Sequence, residues 1–252
     1  MWIALVATFA SAGPPPLVGA DPGGVLTVRG TEFLYTRPDG TVLTSADLLG
    51  ATLHMDGLDV RIADVHDDAT AKGGRVVLHH LVIDGPGGAI TELCNADPDG
   101  NHLGFPVQDD HGSYALTCTS GAIGKCVRWG YRPWDEQPGG PPLRALHEAC
   151  VKMVRADYGG DGQTYTRDGT RIDYCDAYGI NVCEPELDVS FEAAWGVDGA
   201  VCAARTRIPE LATLDALGAR YPRLKDHLGP DRCKMGDWRP GVLLFDRVAN
   251  PR

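Results

Sequence analysis

No two of the chain's eight cysteines stand close enough together to make a metal knuckle, the short-spaced pair whose thiolates reach one tetrahedral ion from a tight turn. A zinc-stapled fold is not written here. Basic residues are also short: 23 Lys and Arg stand against 34 Asp and Glu, a formal charge of −11. A surface of that sign repels nucleic acid and anionic lipid, while it favours solubility and suits cations. After the N-terminus no segment is long and apolar enough to cross a bilayer. There is no Gly-x-Ser-x-Gly elbow, no phosphate-binding loop (Gly124-Lys125 runs into Cys126) and no dinucleotide fingerprint. The common serine-hydrolase and nucleotide signatures are thus missing.

What the chain does carry begins with an apolar N-terminus, Trp2 to Ala12, ending in Ala10-Ser11-Ala12 ahead of Gly13. At about ten residues it is roughly half a membrane span and matches the core of a secretory signal with its small-residue cleavage site. No Lys or Arg precedes it, so the charged part of such a signal is lacking. Pro14-Pro15-Pro16 follows at once, which a buried first strand would not tolerate. Residues 1–20 are expected to be a signal peptide and proline-rich leader. No cysteine at the cleavage region offers a lipid anchor. The mature protein is expected to be extracytoplasmic, periplasmic or secreted.

The cysteines are Cys94, Cys118, Cys126, Cys150, Cys175, Cys183, Cys202 and Cys233. An even number in an exported chain reads as a disulfide framework whose connectivity stays open. Two intervals repeat as Cys-x7-Cys, from Cys118 to Cys126 and from Cys175 to Cys183. Each is short enough to close a small loop worth about 2.5 kcal/mol through the entropy of the unfolded chain.

From Val25 to Leu93 short strand-forming runs alternate with Gly-rich turns, among them Arg37-Pro38-Asp39-Gly40. Leu58 to Val65 alternates apolar with polar, the mark of a strand with one wet face. These runs predict an antiparallel β unit, a small barrel or sandwich, over residues 21–112. Pro142 suits the first turn of a helix on which Leu143, Leu146, His147, Cys150, Val151 and Val154 share a face. Val197-Asp198-Gly199 between two strand-like runs reads as a hairpin. A helix from Glu210 to Arg220 and a strand from Val242 to Asp246 follow. The fold class expected is α+β, with a disulfide-stapled α+β unit over 113–252 built around one long amphipathic helix.

Three groups of residues invite a functional reading. Asp157, Asp161 and Asp168 fall at the first, fifth and twelfth places of a calcium loop, with Gly162 at the sixth. Gly159 stands where an oxygen ligand is needed, and the bland alternative is a turn capping the helix. Calcium is the one cofactor this pattern suggests. His147, with Asp157 or Tyr158 as a partner, is the candidate for acid–base chemistry; its position on the buried face equally fits a hydrogen-bonded core residue. His79 and His80 point to opposite faces of their strand and cannot chelate together. Trp129, Tyr131 and Trp134 form an aromatic cluster suited to stacking on a sugar or peptide, or equally to closing the core as a lid.

Two stretches, Cys118 to Trp134 and His147 to Asp168 with its Arg155-Ala156-Asp157-Tyr158, resemble the bacterial ADYC domain family, named for an Ala-Asp-Tyr-Cys signature. Phe191-Glu192-Ala193-Ala194-Trp195 and Asp198 to Cys202 extend the resemblance over roughly residues 90–247. The chain departs at the name-giving place, where Gly159 replaces cysteine, and Cys175 or Cys183 is the candidate substitute for the lost pairing. The resemblance implies an exported protein and no activity. Two readings follow: an extracytoplasmic binding or surface-associated module for a cell-surface, glycan or peptide ligand, or an exported hydrolase-like enzyme using His147. Native protein should show no alkylatable thiol by intact mass until a reductant is added; eight thiols labelled without reductant would remove the oxidised framework.

Overall fold

The computed structural model describes residues 7–9, 23–55, 58–108, 114–136, 143–185 and 188–249. They form two compact units, divided between Arg128 and Trp129, later than the expected boundary after residue 112.

The first unit is almost entirely antiparallel. β1 (Ala7–Phe9) lies beside β5 (Ala51–Met55). The remaining expected signal features, Ala10 to Ala12 and the three prolines, fall outside the described residues. β2 (Val25–Arg29), β3 (Glu32–Thr36) and β4 (Val42–Thr44) form a three-stranded meander. Its second turn is the predicted one, closed by Gly40 N–H on the Arg37 carbonyl at 2.9 Å, with Gly40 at φ +85°. That left-handed backbone is why glycine stands there.

A larger open sheet takes β1, β5, β6 (Leu58–Asp67), β7 (Val77–Asp84), β9 (Leu103–Gln108) and β10 (Tyr114–Cys118) in order, with β8 (Ile90–Glu92) beside part of β7. The two sheets share one core of Phe33, Tyr35, Leu48, Ala51, Leu53, Val60, Ile62 and Leu81. The arrangement is a packed pair of sheets rather than a closed barrel. A register shift between Ile62 and Asp64 interrupts the alternation of β6, so only the first half of that strand follows its sequence pattern. The Cys94–Cys118 disulfide ties the strand end of β10 back to the chain after β8. The short helix α1 (Ala122–Arg128) follows, and Arg128 donates to Asp68 at 2.5 Å.

In the second unit, α2 (Leu143–Arg155) packs on a four-stranded antiparallel sheet. The sheet takes β11 (Ile172–Asp176), β14 (Leu244–Ala249), β12 (Val189–Gly196) and β13 (Gly199–Ala203) in that order. β12 and β13 are the predicted hairpin. α3 (Leu214–Arg220) starts at Thr213, whose hydroxyl accepts the Ala216 N–H, a conventional N-cap. On α2 the buried stripe is Leu143, Leu146, His147, Ala149, Cys150 and Met153. It is rotated from the expected one, with Met153 inside while Val151 and Val154 are only half-buried.

The sheet's two faces are used differently. Facing away from the helix, Cys175, Phe245, Ala194 and Cys202 are successive cross-strand neighbours. This row is stapled at both ends, by Cys175–Cys183 and Cys202–Cys233. On the helix side lies a buried cluster of charge. Arg207 donates to Glu192 at 2.9 Å and Asp246 at 2.7 Å, and also to the carbonyls of Met153 and Val154 at the end of α2. Glu192 reaches this position because β12 bulges between Phe191 and Ala193. Tyr158 donates to Glu192 at 2.8 Å and accepts the Arg207 N–H at 2.7 Å, while Trp195 donates to Asp246 at 2.7 Å. Breaking a buried ion pair from one side leaves uncompensated charge in a poorly polarisable interior. Arg207→Met should therefore lower stability by about 3–5 kcal/mol in urea unfolding, whereas Arg239→Met, on the surface, should change it by less than about 0.5 kcal/mol.

Candidate binding site

The Cys175–Cys183 bridge closes a loop at the edge of the second unit's sheet. Inside that loop the Asp176 carboxylate accepts the N–H groups of Tyr178, Ile180 and Asn181 at 2.8, 3.2 and 2.8 Å. Tyr131 donates its hydroxyl to the same carboxylate at 2.8 Å. The Asn181 amide reaches the Trp129 carbonyl at 2.9 Å. One carboxylate thus gathers the loop's backbone donors, and the disulfide removes its freedom to open. The loop is held in shape before anything binds it.

Its outward side is apolar. Val182 is 76% exposed and Tyr178 is 38% exposed. Trp238 lies on Phe245 with ring centroids 4.2 Å apart and remains 43% exposed. Phe245 shares its cluster with Cys175, Cys183 and Phe191, so the loop's disulfide and Trp238 pack on one buried apolar cluster. Met235 is exposed in the same turn as Trp238. Sequence reasoning missed all four residues. For Tyr178 and Val182 the available signal was the Cys-x7-Cys interval itself, a short loop closed at its base; Met235 and Trp238 lie outside it.

The predicted recognition aromatics divide. Trp129 is half-buried and stacks on Tyr174 at 4.2 Å; Trp134 is half-buried. Tyr131 is fully buried, and burial pushes its phenol far above the usual range. It is a strut for the loop rather than a surface for a ligand.

His147, Asp157 and Tyr158 do not meet. His147 sits in the second turn of α2 and donates Nδ1–H to the Tyr131 carbonyl at 2.8 Å. Asp157 and Tyr158 follow the last turn, on the order of 12 Å further along the axis. Tyr158 is fully buried in the Arg207 cluster and stacks on Trp195. No hydrogen bond joins His147 to either residue among the described contacts. His147 is the hydrogen-bonded core histidine of the blander expectation.

The Asp157–Asp168 segment is a helix-capping turn. Ala156 takes the left-handed conformation at φ +50°, and the Asp157 N–H returns to the Lys152 carbonyl, the bonding of a helix C-cap that usually recruits glycine. The buried Asp157 carboxylate accepts Gly160 N–H, Gly162 N–H and the Lys152 ammonium, the last at 3.0 Å. Asp161 instead meets Arg220, Tyr221 and the Gln163 N–H, and Asp168 is exposed. The three carboxylates serve different partners, and the described residues contain no group of three acidic, His or Cys ligands poised for a metal.

A family model for the ADYC domain matches residues 45–209, well over half of the chain. The chain belongs to the ADYC domain family. The match starts inside the first unit and stops before α3, Trp238 and β14, a different span from the one the motifs indicated. No curated protein and no solved structure matches the chain. In this ADYC domain a Cβ built at Gly159 would lie 2.2 Å from the Tyr221 ring. Tyr221 occupies the space a cysteine side chain would need, and its hydroxyl holds Asp161 and Tyr165. Cys175 and Cys183 pair with each other, so neither substitutes at that place. Cys118 pairs with Cys94 rather than closing its own short loop. No cysteine is free, Cys126 and Cys150 included, the state of a protein that matures outside the reducing cytosol.

Burial lowers two histidines, His147 in the second unit and His79 in the first, to about 4 from 6.5. His79 is enclosed with Ser45 at 2.8 Å. Both are neutral in the fold and take protons when the chain unfolds. Their contribution is complete above pH 6.5 and is lost as pH falls toward about 4, at up to about 1.4 kcal/mol per pH unit for each. Urea midpoints should drop across that window, and His147→Gln should flatten the decline.

Proposed function

We propose that this ADYC domain is an exported, disulfide-stabilised binding module whose recognition surface is the Cys175–Cys183 loop together with Trp238, and whose partner is a protein. The observation that carries the proposal is the loop itself. Asp176 and the disulfide fix its backbone, and it presents Val182 and Tyr178 outward. A segment ordered in advance loses little conformational entropy on binding, which is where affinity is commonly lost.

The chemistry of the surface favours protein over glycan. A sugar site sets a flat ring among side chains with spare hydrogen-bonding capacity. Here Asp176 and Asn181 are spent inside the loop, and Asp237 pairs with Arg239 beside Trp238. What remains outward is Val182, Tyr178, Met235 and Trp238, a mixture of aliphatic and aromatic groups that fills pockets on protein partners. The hydrolase-like reading has no comparable support, since His147 is committed to a carbonyl and Tyr158 is enclosed.

Export with cleavage after Ala12 belongs to this proposal; the mature protein should begin at Gly13 and so lack β1, leaving β5 as the edge strand of its sheet. A photo-reactive residue replacing Val182, in the cells that export the protein, should capture a discrete protein partner. The same residue replacing Val42, 54% exposed in the first unit, should not. Tyr178→Ala with Trp238→Ala should cut capture at 182 by at least about tenfold. No adduct, or equal labelling from both positions, would sink the proposal.

A further inference from the structure

β5 (Ala51–Met55) stands near the end of the first unit's larger sheet, and its outer edge is taken by β1 (Ala7–Phe9). All of that cover lies ahead of Ala12, in the segment read as a signal. Its removal uncovers a row of backbone donors and acceptors, a template on which another strand can pair. Native edges are commonly blunted by charge, proline or a bulge. β5 reads Ala51-Thr52-Leu53-His54-Met55, without Lys, Arg, Asp, Glu or Pro. It runs in one register against β6, from Thr52 opposite Arg61 to Met55 opposite Leu58. Large apolar side chains are exposed at both its ends, Leu49 just before it and Leu58 across from Met55.

The strand that covers this edge resembles it. β1 reads Ala7-Thr8-Phe9 and lies against Ala51-Thr52-Leu53. The register sets Ala7 opposite Leu53, Thr8 opposite Thr52 and Phe9 opposite Ala51. β1 is thus a near copy of the stretch it covers, laid antiparallel about Thr52. A second β5 in its place, with Thr52 opposite Thr52 and Leu53 opposite Ala51, repeats that register about a two-fold axis. Such self-complementary pairing is the usual geometry of a dimer. The parity also agrees. Ala51 and Leu53 belong to the core of the first unit while Thr52 is half-buried, so this register joins the two buried faces into one. A slip by one residue would set a buried position against a wet one.

We infer that, once the signal is removed, β5 pairs with β5 of a second copy of this chain, and that β1 keeps the unprocessed chain monomeric by standing in for that strand. The inference rests on the proposed cleavage after Ala12. Few residues pair, so the dimer is a weak one, with a dissociation constant on the order of 10 µM. Each copy carries a formal charge of −11. Association therefore works against a repulsion that added salt screens. β5 brings no charge of its own to the axis.

The test compares the exported protein with the unprocessed chain by analytical ultracentrifugation, and N-terminal sequencing of the exported protein reads the cleavage separately. The exported protein should dimerise as its concentration rises, more tightly in added salt, while the unprocessed chain stays monomeric. Thr52→Lys sets like charges opposite each other at the axis and should weaken the dimer about fivefold. Thr52→Cys should link two copies through residue 52 on oxidation, whereas Val42→Cys, at an exposed site on β4, should not. A protein that begins at Gly13 and stays monomeric at about 100 µM overturns the inference and leaves the export reading intact. So does equal cross-linking from 42 and 52, or an unprocessed chain that dimerises as tightly as the exported one. An exported protein that keeps Ala7–Phe9 overturns both readings, since the edge is then never vacated.

Discussion

A guanidinium cannot be enclosed in a protein interior without acceptors around it, and Arg207 obtains them from three separate stretches of chain, with a fourth holding its backbone. The last turn of α2 gives two carbonyls, the bulge in β12 gives Glu192, β14 gives Asp246, and Tyr158 caps the Arg207 backbone. Each supplier is held where it stands because the charge needs it there. The bulge makes the point locally. Without the register shift, alternation would not bring Glu192 to the helix side in step with its neighbours. Helix, hairpin and final strand are therefore brought into one arrangement by a single side chain.

The opposite face of the same sheet is secured by sulfur. The row Cys175, Phe245, Ala194 and Cys202 has a disulfide at each end and lies buried in one apolar cluster with Cys233 and Val242. Val182, Tyr178 and Trp238 remain in solvent. The covalent staples restrict the unfolded chain and so add to what burial contributes on that face. The two faces thus use different physics: enclosed charge on one, cross-links and presentation on the other.

The family signature reads as architecture in this chain. Ala156 is the left-handed residue that ends α2, Asp157 collects the turn's donors and Lys152, and Tyr158 enters the Arg207 cluster. At Gly159 the absent side chain makes room for Tyr221. Among the described residues, each member of the motif is committed to the turn or to the Arg207 cluster.

Local pattern alone determined much of this protein: the meander from Val25, the alternating start of β6, α2, the hairpin at Val197 to Gly199, and cysteines paired with one another. These follow from periodicity, turn residues and redox setting, which act over a few residues or on composition. The strand β9 was hidden by Pro106, and α1 and β11 by short runs without a clear period. Which cysteines pair, why Tyr131 and Tyr158 are struts, and where Arg207 meets both Glu192 and Asp246 were decided only in the tertiary structure. Such contacts depend on how distant segments pack, and a linear pattern carries no record of who stands opposite whom.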